Sequence, residues 1–272
     1  MPGPLLTLKV NDSLCKARDH AQPVCELSLD LGRTQQRVDI GADRWHWNGA
    51  DFPYIDRCKD RTVYQWMDAE FHPIARYGGS LIKLVPTDWG PPTFEIDGIK
   101  MLPTAKLSPM VDAQNKVGLI DARGKQILDC CGGLGYFAAS CIEAQAKAIQ
   151  SFEKNADVIW LRELNPWSPA ASAPLSLTHG DIREHLPALA ANSFDAILHD
   201  PPRFGIAGEL YSLDFYLQLA RVLKRQGRLF HYTGSPNKLT SGRDLGKEVS
   251  RRLAEAGFST KIVGDGVLAT KR

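Results

Sequence analysis

Long apolar runs, paired cysteines and an excess of charge of either sign are all missing from this 272-residue chain. Without an apolar run of bilayer length there is no membrane-spanning helix to expect. Lysine and arginine number 33 against 31 aspartates and glutamates, a net charge of +2. That balance gives no strong field for DNA or an anionic membrane, although it leaves RNA open. The six cysteines, at 15, 25, 58, 130, 131 and 141, form no Cys-x-x-Cys pair, and no histidine stands at finger-like spacing. Neither a structural zinc site nor any other metal is expected, and the thiols read as reduced and mostly buried. The start, Met1-Pro2-Gly3-Pro4, lacks the basic region and apolar core of a signal peptide, so a cytoplasmic location is expected.

What is present divides the chain at about residue 105. Residues 1–105 read as β-rich. Asn48-Gly49 between Trp45-His46-Trp47 and Phe52-Pro53-Tyr54 predicts a tight hairpin. Asp97-Gly98 between Thr93-Phe94-Glu95-Ile96 and Ile99-Lys100-Met101-Leu102 predicts another. Residues 62–66 and 80–85 are strand-like, while Pro86, Pro91 and Pro92 argue against helices nearby. Across residues 106–272 strands and helices alternate. Strands are predicted at 126–129, 148–153, 175–178, 196–199 and 228–232, with a closing pair at 259–263 and 266–270. Helices are predicted at 136–145, 156–165, 209–224 and 245–256, the last stopped by Gly257. Such alternation predicts an α/β fold, with a mostly parallel sheet covered by helices on both faces.

The most informative segment is Gln126-Ile127-Leu128-Asp129-Cys130-Cys131-Gly132-Gly133-Leu134-Gly135-Tyr136, an apolar strand ending in an acid, a glycine turn and a helix start. Glycine lets a ligand lie close to the backbone. Three more acids follow at strand ends, in order: Glu153, Asp181 and Asp200, the last in His199-Asp200-Pro201-Pro202-Arg203-Phe204. Ligands of open α/β sheets bind along that edge. A dinucleotide site is a second reading of Gly133-x-Gly135-x-x-Ala138, with Glu153 on a ribose in an NAD-dependent oxidoreductase. It leaves Asp129, Asp181 and the Asp-Pro-Pro segment without roles.

The ordered series Asp129, Gly133, Gly135, Glu153, Asp181, Asp200 resembles the class I S-adenosylmethionine-dependent methyltransferases over roughly residues 120–272. The resemblance implies a Rossmann-like sheet, S-adenosyl-L-methionine as cofactor and a set of contacts. Asp129 would stand near the methionine ammonium, and the backbone at Gly133 and Gly135 would pass under the cofactor. Cys131 stands where the family often has a further glycine. Glu153, beside Lys154, would accept the ribose hydroxyls, Asp181 would take the adenine amino group with the Ile182 amide near the ring, and Asp200-Pro201-Pro202 would border the methyl group. The Asp-Pro-Pro-Arg-Phe run and the Leu-Phe-His-Tyr-Thr-Gly strand also look like a little-characterised group of archaeal and bacterial methyltransferases. The N-terminal layout resembles the spermidine synthases, which implies aminopropyl transfer as an alternative. Against it, Arg203 would repel a polyamine.

At the reaction centre the catalytic candidates are Asp200, Arg203 and His231. Asp200 is placed to orient the acceptor or take a proton. Arg203 either holds an anionic acceptor group or pairs with Glu209. His231 and Tyr232 stand at the same edge, one of them facing the pocket, whereas His199 is either a base beside Asp200 or a packing residue on the opposite face. Residues 235–244, with Arg243, form a candidate lid, or an ordinary loop capped at Asp244. No cysteine lies late enough in the domain to serve as a nucleophile for cytosine C5 methylation. The basic and aromatic residues at 44–66, and the clusters around Arg221 and Arg251, read as packing and solvated faces rather than as an RNA surface. The acceptor is not named by the sequence, RNA is not favoured, and a homodimer is compatible with the chain. A fold that only binds the cofactor, without turnover, is a further alternative.

Overall fold

Two tight turns organise the N-terminal part. Asn48 (φ 51°) and Gly49 (φ 81°) both occupy the left-handed region, as do Asp97 (φ 48°) and Gly98 (φ 77°). Paired left-handed residues match the twist of the hairpins they close. The computed structural model describes residues 3–102, 104–234 and 244–272. They form two compact units, Met1–Pro109 with Glu163–Trp167, and Met110–Arg162 with Ser168–Arg272.

In the first unit, strands β2 (Val24–Leu27), β3 (Gln36–Ile40), β4 (Arg44–Trp47) and β5 (Ala50–Pro53) make an antiparallel meander. Strand β1 (Leu5–Leu6) pairs with β6 (Tyr64–Met67), which pairs with β7 (Glu70–Pro73). Strands β8 (Ala75–Tyr77), β9 (Leu81–Val85), β10 (Thr93–Ile96) and β11 (Ile99–Lys100) form a third sheet in the order β11-β10-β9-β8. Trp45, fully buried, stacks on Phe52 at 4.6 Å and donates its indole N–H to Pro53 O. Helix α1 (Leu8–Asp19), capped by Thr7, buries Leu14 and Ala17 and was not expected from the sequence. The unit runs past residue 105 to Pro109 and takes in Glu163–Trp167. There the Trp167 indole donates to Leu31 O at 2.9 Å, and Arg33 bonds Pro166 O and lies over the Trp167 ring.

The second unit is built on one sheet. Strands β12 (Gln126–Asp129), β13 (Ala148–Glu153), β14 (Leu175–His179), β15 (Phe194–His199), β16 (Leu223–Tyr232), β17 (Phe258–Val263) and β18 (Gly266–Lys271) stand in the order β14-β13-β12-β15-β16-β18-β17. All pairs are parallel except those of β18. The order reverses between β12 and β15, the switch point where ligands of such sheets bind. Helices α2 (Pro109–Ile120) and α3 (Tyr136–Glu143) pack with Ile127, Ile149, Ala196, Leu198 and Phe230. On the other face lie α5 (Ile182–His185), α6 (Leu213–Val222) and α7 (Leu245–Glu255), with Leu128, Phe152, Ile197 and Leu229. Helix α4 (Ala156–Leu164) follows β13. Strand alternation places successive residues on opposite faces, which is why neighbours such as Ile127 and Leu128 serve different cores.

The expected helix over 209–224 is divided. A 3₁₀ turn at Gly208–Tyr211 ends at Ser212, whose hydroxyl accepts from Phe215 N and caps α6. Serine competes well for that capping position and so starts the helix late. β16 begins directly at Leu223, five residues before its predicted start, with an irregular register where Gln226 has φ 62°. No helix among the described residues is long and apolar enough to cross a membrane. Trp45→Ala should destabilise the first unit by about 3–5 kcal/mol, through lost transfer energy and a cavity. A urea denaturation curve followed by circular dichroism checks it.

Candidate active site

Asp129 is the last residue of β12 and is completely buried. Its Oδ2 accepts from the Ser151 hydroxyl at 2.8 Å, while Oδ1 has no hydrogen-bond partner among the described residues. Burial pushes the carboxyl up to about 6, against the pull of the Ser151 bond and of the Arg162 charge. The turn that follows is held by Gly132 N to Phe152 O (2.8 Å) and Gly135 N to Gly132 O (2.9 Å). Gly133 (φ 50°) and Gly135 (φ 84°) need the left-handed region. The glycines of the turn differ in what surrounds them. Beside Gly133 a Cβ would meet open space, so a ligand can approach there. At Gly135 a Cβ would come within 2.6 Å of Arg162 Cζ, and at Gly132 it would meet the Ser151 hydroxyl. Those two glycines make room for the protein's own side chains.

Glu153 ends β13 and closes the turn from the next strand. Its Oε2 accepts from Gly133 N and its Oε1 from Asn155 N, both at 2.9 Å. Burial raises its carboxyl above the usual range, and the two backbone donors oppose that rise. Asp181, two residues beyond β14, caps α5 by accepting from Arg183 N. Burial alone would raise Asp181, but Arg183 and the exposed Lys154 (3.0 Å) bond it and hold it far below the carboxylate range. Ile182, behind it, is buried as the first residue of α5.

Asp200 follows β15. Its Oδ2 accepts from Lys116 Nζ at 2.6 Å, and among the described residues Oδ1 accepts no hydrogen bond. Lys116, on α2, also pairs with Asp112 Oδ2 at 2.8 Å and lies 4.0 Å from the centre of the Tyr232 ring. Burial would lower the lysine, but Asp200 and Asp112 overcome it and hold the ammonium firmly charged. Burial and the neighbouring Asp200 push the Tyr232 hydroxyl up to about 12, so it stays protonated.

His231 is corrected by its placement. It is completely buried; its Nδ1–H donates to Tyr232 O and its Nε2 accepts from the Tyr216 hydroxyl, both at 2.9 Å. Burial holds it neutral, well below the ordinary histidine value. A ring with both nitrogens engaged in the core is no catalytic base, and Tyr232 is the residue of this pair beside Asp200. His199 is a packing residue, bonding Leu210 O and pushed down to about 4 by burial. The Arg203 side chain is exposed, and among the described residues it forms no ion pair. Glu209 lies 3.9 Å from Arg183 instead. Cys131 packs against the core, with its thiol raised well above the usual range by burial. Of the candidate lid, residues 235–243 lie outside the described residues, and Asp244 caps α7 through Lys247 N.

The four acids thus leave the carboxyl ends of four parallel strands, β12, β13, β14 and β15. The orphan Asp129 Oδ1 suits a buried cationic donor, and the open side of Gly133 beside Glu153 suits a nucleoside, so the residues fit S-adenosyl-L-methionine. Three neighbours went unread in the sequence. Lys116 and Asp112 are four apart on α2, a helix not anticipated although Pro109 marks its first turn. Arg162 interrupts the apolar stripe of Val158 and Leu161 on α4, and a cation there was the legible signal. A cavity of about 640 Å³ lies elsewhere, within the first unit, bounded by Leu8, Arg61, Trp89 and Lys100. None of the expected site residues lines it.

Sheet order and strand-end acids together define an α/β enzyme of the nucleoside-cofactor type. Residues 168–264 match the family model described as S-adenosyl-L-methionine-dependent methyltransferase. An uncharacterized protein of Methanocaldococcus jannaschii is 39% identical over 259 residues, which cover 90% of this chain and 88% of that one. The chain belongs to the family of that archaeal protein and is an S-adenosyl-L-methionine-dependent methyltransferase. Among solved structures, spermidine synthase from Thermotoga maritima superposes with a TM-score of 0.56 at 18% identity, over 75% of each chain. A spermidine synthase in complex with the transition-state analogue AdoDATO gives 0.57, also at 18% identity, over 75% of this chain and 76% of that one. Both are likenesses of fold. His231→Phe should lower stability by about 1–3 kcal/mol, because the buried Tyr216 hydroxyl loses its acceptor. S-adenosylhomocysteine affinity, measured by calorimetry, should not change.

Proposed function

We propose that the protein methylates a nitrogen or oxygen that carries a hydrogen, at the exit of β15, with Asp200 accepting that hydrogen. The observation that supports this most directly is the divided carboxylate of Asp200. Lys116 holds Oδ2 at 2.6 Å, and Oδ1 accepts no hydrogen bond among the described residues. One oxygen is thereby oriented and the other is available to an acceptor N–H or O–H. S-adenosyl-L-methionine supplies an electrophilic methyl group on a sulfonium. Asp129, Glu153 and Asp181 serve to hold the donor, and the Gly133 backbone lets it approach. Lys116 fixes the Asp200 carboxylate through its 2.6 Å bond, and Tyr232 walls the same side with a protonated hydroxyl. A carbon acceptor activated by a thiolate is disfavoured, because burial keeps the Cys130 and Cys131 thiols protonated.

Aminopropyl transfer is the second reading. Among the described residues Asp112 and Asp200 both pair with Lys116, and two carboxylates against one ammonium would suit an amine. The spermidine synthase likeness supports only the shared fold. RNA as acceptor and a homodimer stay minority readings, since nothing in the charge pattern favours either.

Incubating the protein with methyl-labelled S-adenosyl-L-methionine and an extract divided into RNA, protein and small molecules finds the acceptor class. Decarboxylated donor in a parallel arm separates aminopropyl from methyl transfer. With the acceptor in hand, Asp200→Asn should lower kcat by about 10²–10⁴-fold while leaving S-adenosylhomocysteine affinity near the parent value. An Asp200→Asn enzyme that turns over like the parent would contradict this assignment.

A further inference from the structure

We propose that Arg162 is a positioning residue of the donor site: its guanidinium, packed against the glycine turn, is the counter-charge that keeps Asp129 and Glu153 in their acceptor-only form. The inference rests on the reading that these two carboxylates hold the methyl donor.

The geometry is specific. Arg162 projects from α4 and is 4% exposed. Its Cζ and Nη2 lie 2.6 and 2.7 Å from where a Cβ of Gly135 would stand, and its Nη1 lies 3.3 Å from that of Gly132. The guanidinium therefore spans both ends of the turn. The other neighbour of Gly132 is the Ser151 hydroxyl, which donates to Asp129. Among the described residues neither Nη atom has a hydrogen-bond partner, nor does Asp129 Oδ1. Buried charges without bonded partners persist only when opposite charge lies close enough to compensate. Here compensation is mutual: burial lowers Arg162 while Asp129 and Glu153 raise it, and Arg162 in turn opposes the rise of both acids. Two carboxylates against one guanidinium leave a single net negative charge. The donor, with an ammonium, a carboxylate and a sulfonium, carries a single net positive one. The glycine turn is thus shaped by a cation behind it, and that cation tunes the acids in front.

Other groups facing Asp129 either bond it or oppose its ionisation. Ser151 on β13 donates, while Glu153 on β13 and Asp200 beyond β15 repel; the Cys130, Cys131 and Cys141 thiols interact with it in their turn. Among the described residues, Arg162 is the cation whose charge favours its ionised form.

The test follows S-adenosylhomocysteine binding to the full chain by calorimetry from pH 5.5 to 8.5. This probe is a zwitterion of no net charge, so deleting a cation does not by itself attract it. For the parent, affinity should fall as pH drops through about 6, where Asp129 takes up its proton. In Arg162→Gln the midpoint should move up by about one unit, giving roughly fivefold weaker binding at pH 6 and convergence with the parent by pH 8.5. Arg162→Lys, which retains the charge, should keep the parent midpoint. Arg162→Met takes the place of the glutamine variant should that one not fold. A uniform loss of affinity at every pH, or a lysine variant that behaves like glutamine, overturns the proposal. The reading beneath it is checked separately. Asp129→Asn should abolish the pH dependence, and if it leaves both affinity and profile unchanged, the donor-site assignment itself fails.

Discussion

Carboxylates at the ends of buried parallel strands cannot stay charged without help, and that constraint orders the second unit. The four acids solve it in different ways. Asp129 relies on the Ser151 hydroxyl and the nearby charge of Arg162. Glu153 accepts two backbone amides, Asp181 is neutralised by Arg183 and Lys154, and Asp200 is bonded to Lys116. Ser151, Gly133, Lys154 and Lys116 also tie separate elements together, so part of the charge compensation and part of the tertiary structure are the same contacts. Gly133 shows this in one residue: its amide donates to Glu153, which joins the turn after β12 to the end of β13.

The differences among the four have chemical meaning. Asp181, bonded by two cations and a backbone amide, is a rigid and strongly acidic group. A ligand there would share it with Arg183 and Lys154 rather than find it free. Asp129 is the opposite case, an acid with an unused oxygen and a titration near neutrality. Asp200 has one oxygen bonded to Lys116 and, among the described residues, one that accepts no hydrogen bond. Lys116 thereby ties α2 to the residue that follows β15, so the helix preceding β12 borders this strand end as well as the core.

Much of the fold could be read from the sequence because its signals are local. Asn48-Gly49 and Asp97-Gly98 announce their hairpins, and the strand–helix alternation after residue 105 gives β12 to β18 within a few residues, β16 excepted. Three helices were not anticipated. α1 is polar in composition, α2 falls between the last predicted hairpin and β12 where no element was read, and α5 is a single turn of four residues. Missing α2 had a cost at the site, because Lys116 and Asp112 sit on it. It also explains the His231 correction. Alternation along β16 shows that His231 and Tyr232 point to opposite faces, yet only the position of α2 decides which face carries Asp200. The glycines were read as a ligand's requirement, and at Gly132 and Gly135 the requirement is set by Ser151 and Arg162. Contacts between residues distant in sequence leave no local pattern, so no reading of the turn alone could separate the two causes.

The central claim is that the carboxyl ends of β12 to β15 form the donor site. A crystal structure of the protein with S-adenosylhomocysteine bound tests it most directly. The account predicts the ligand along that edge, over Gly133, with its ribose at Glu153 and its amino acid end toward Asp129. Ligand seated in the cavity of the first unit, or anywhere apart from those strand ends, would contradict it.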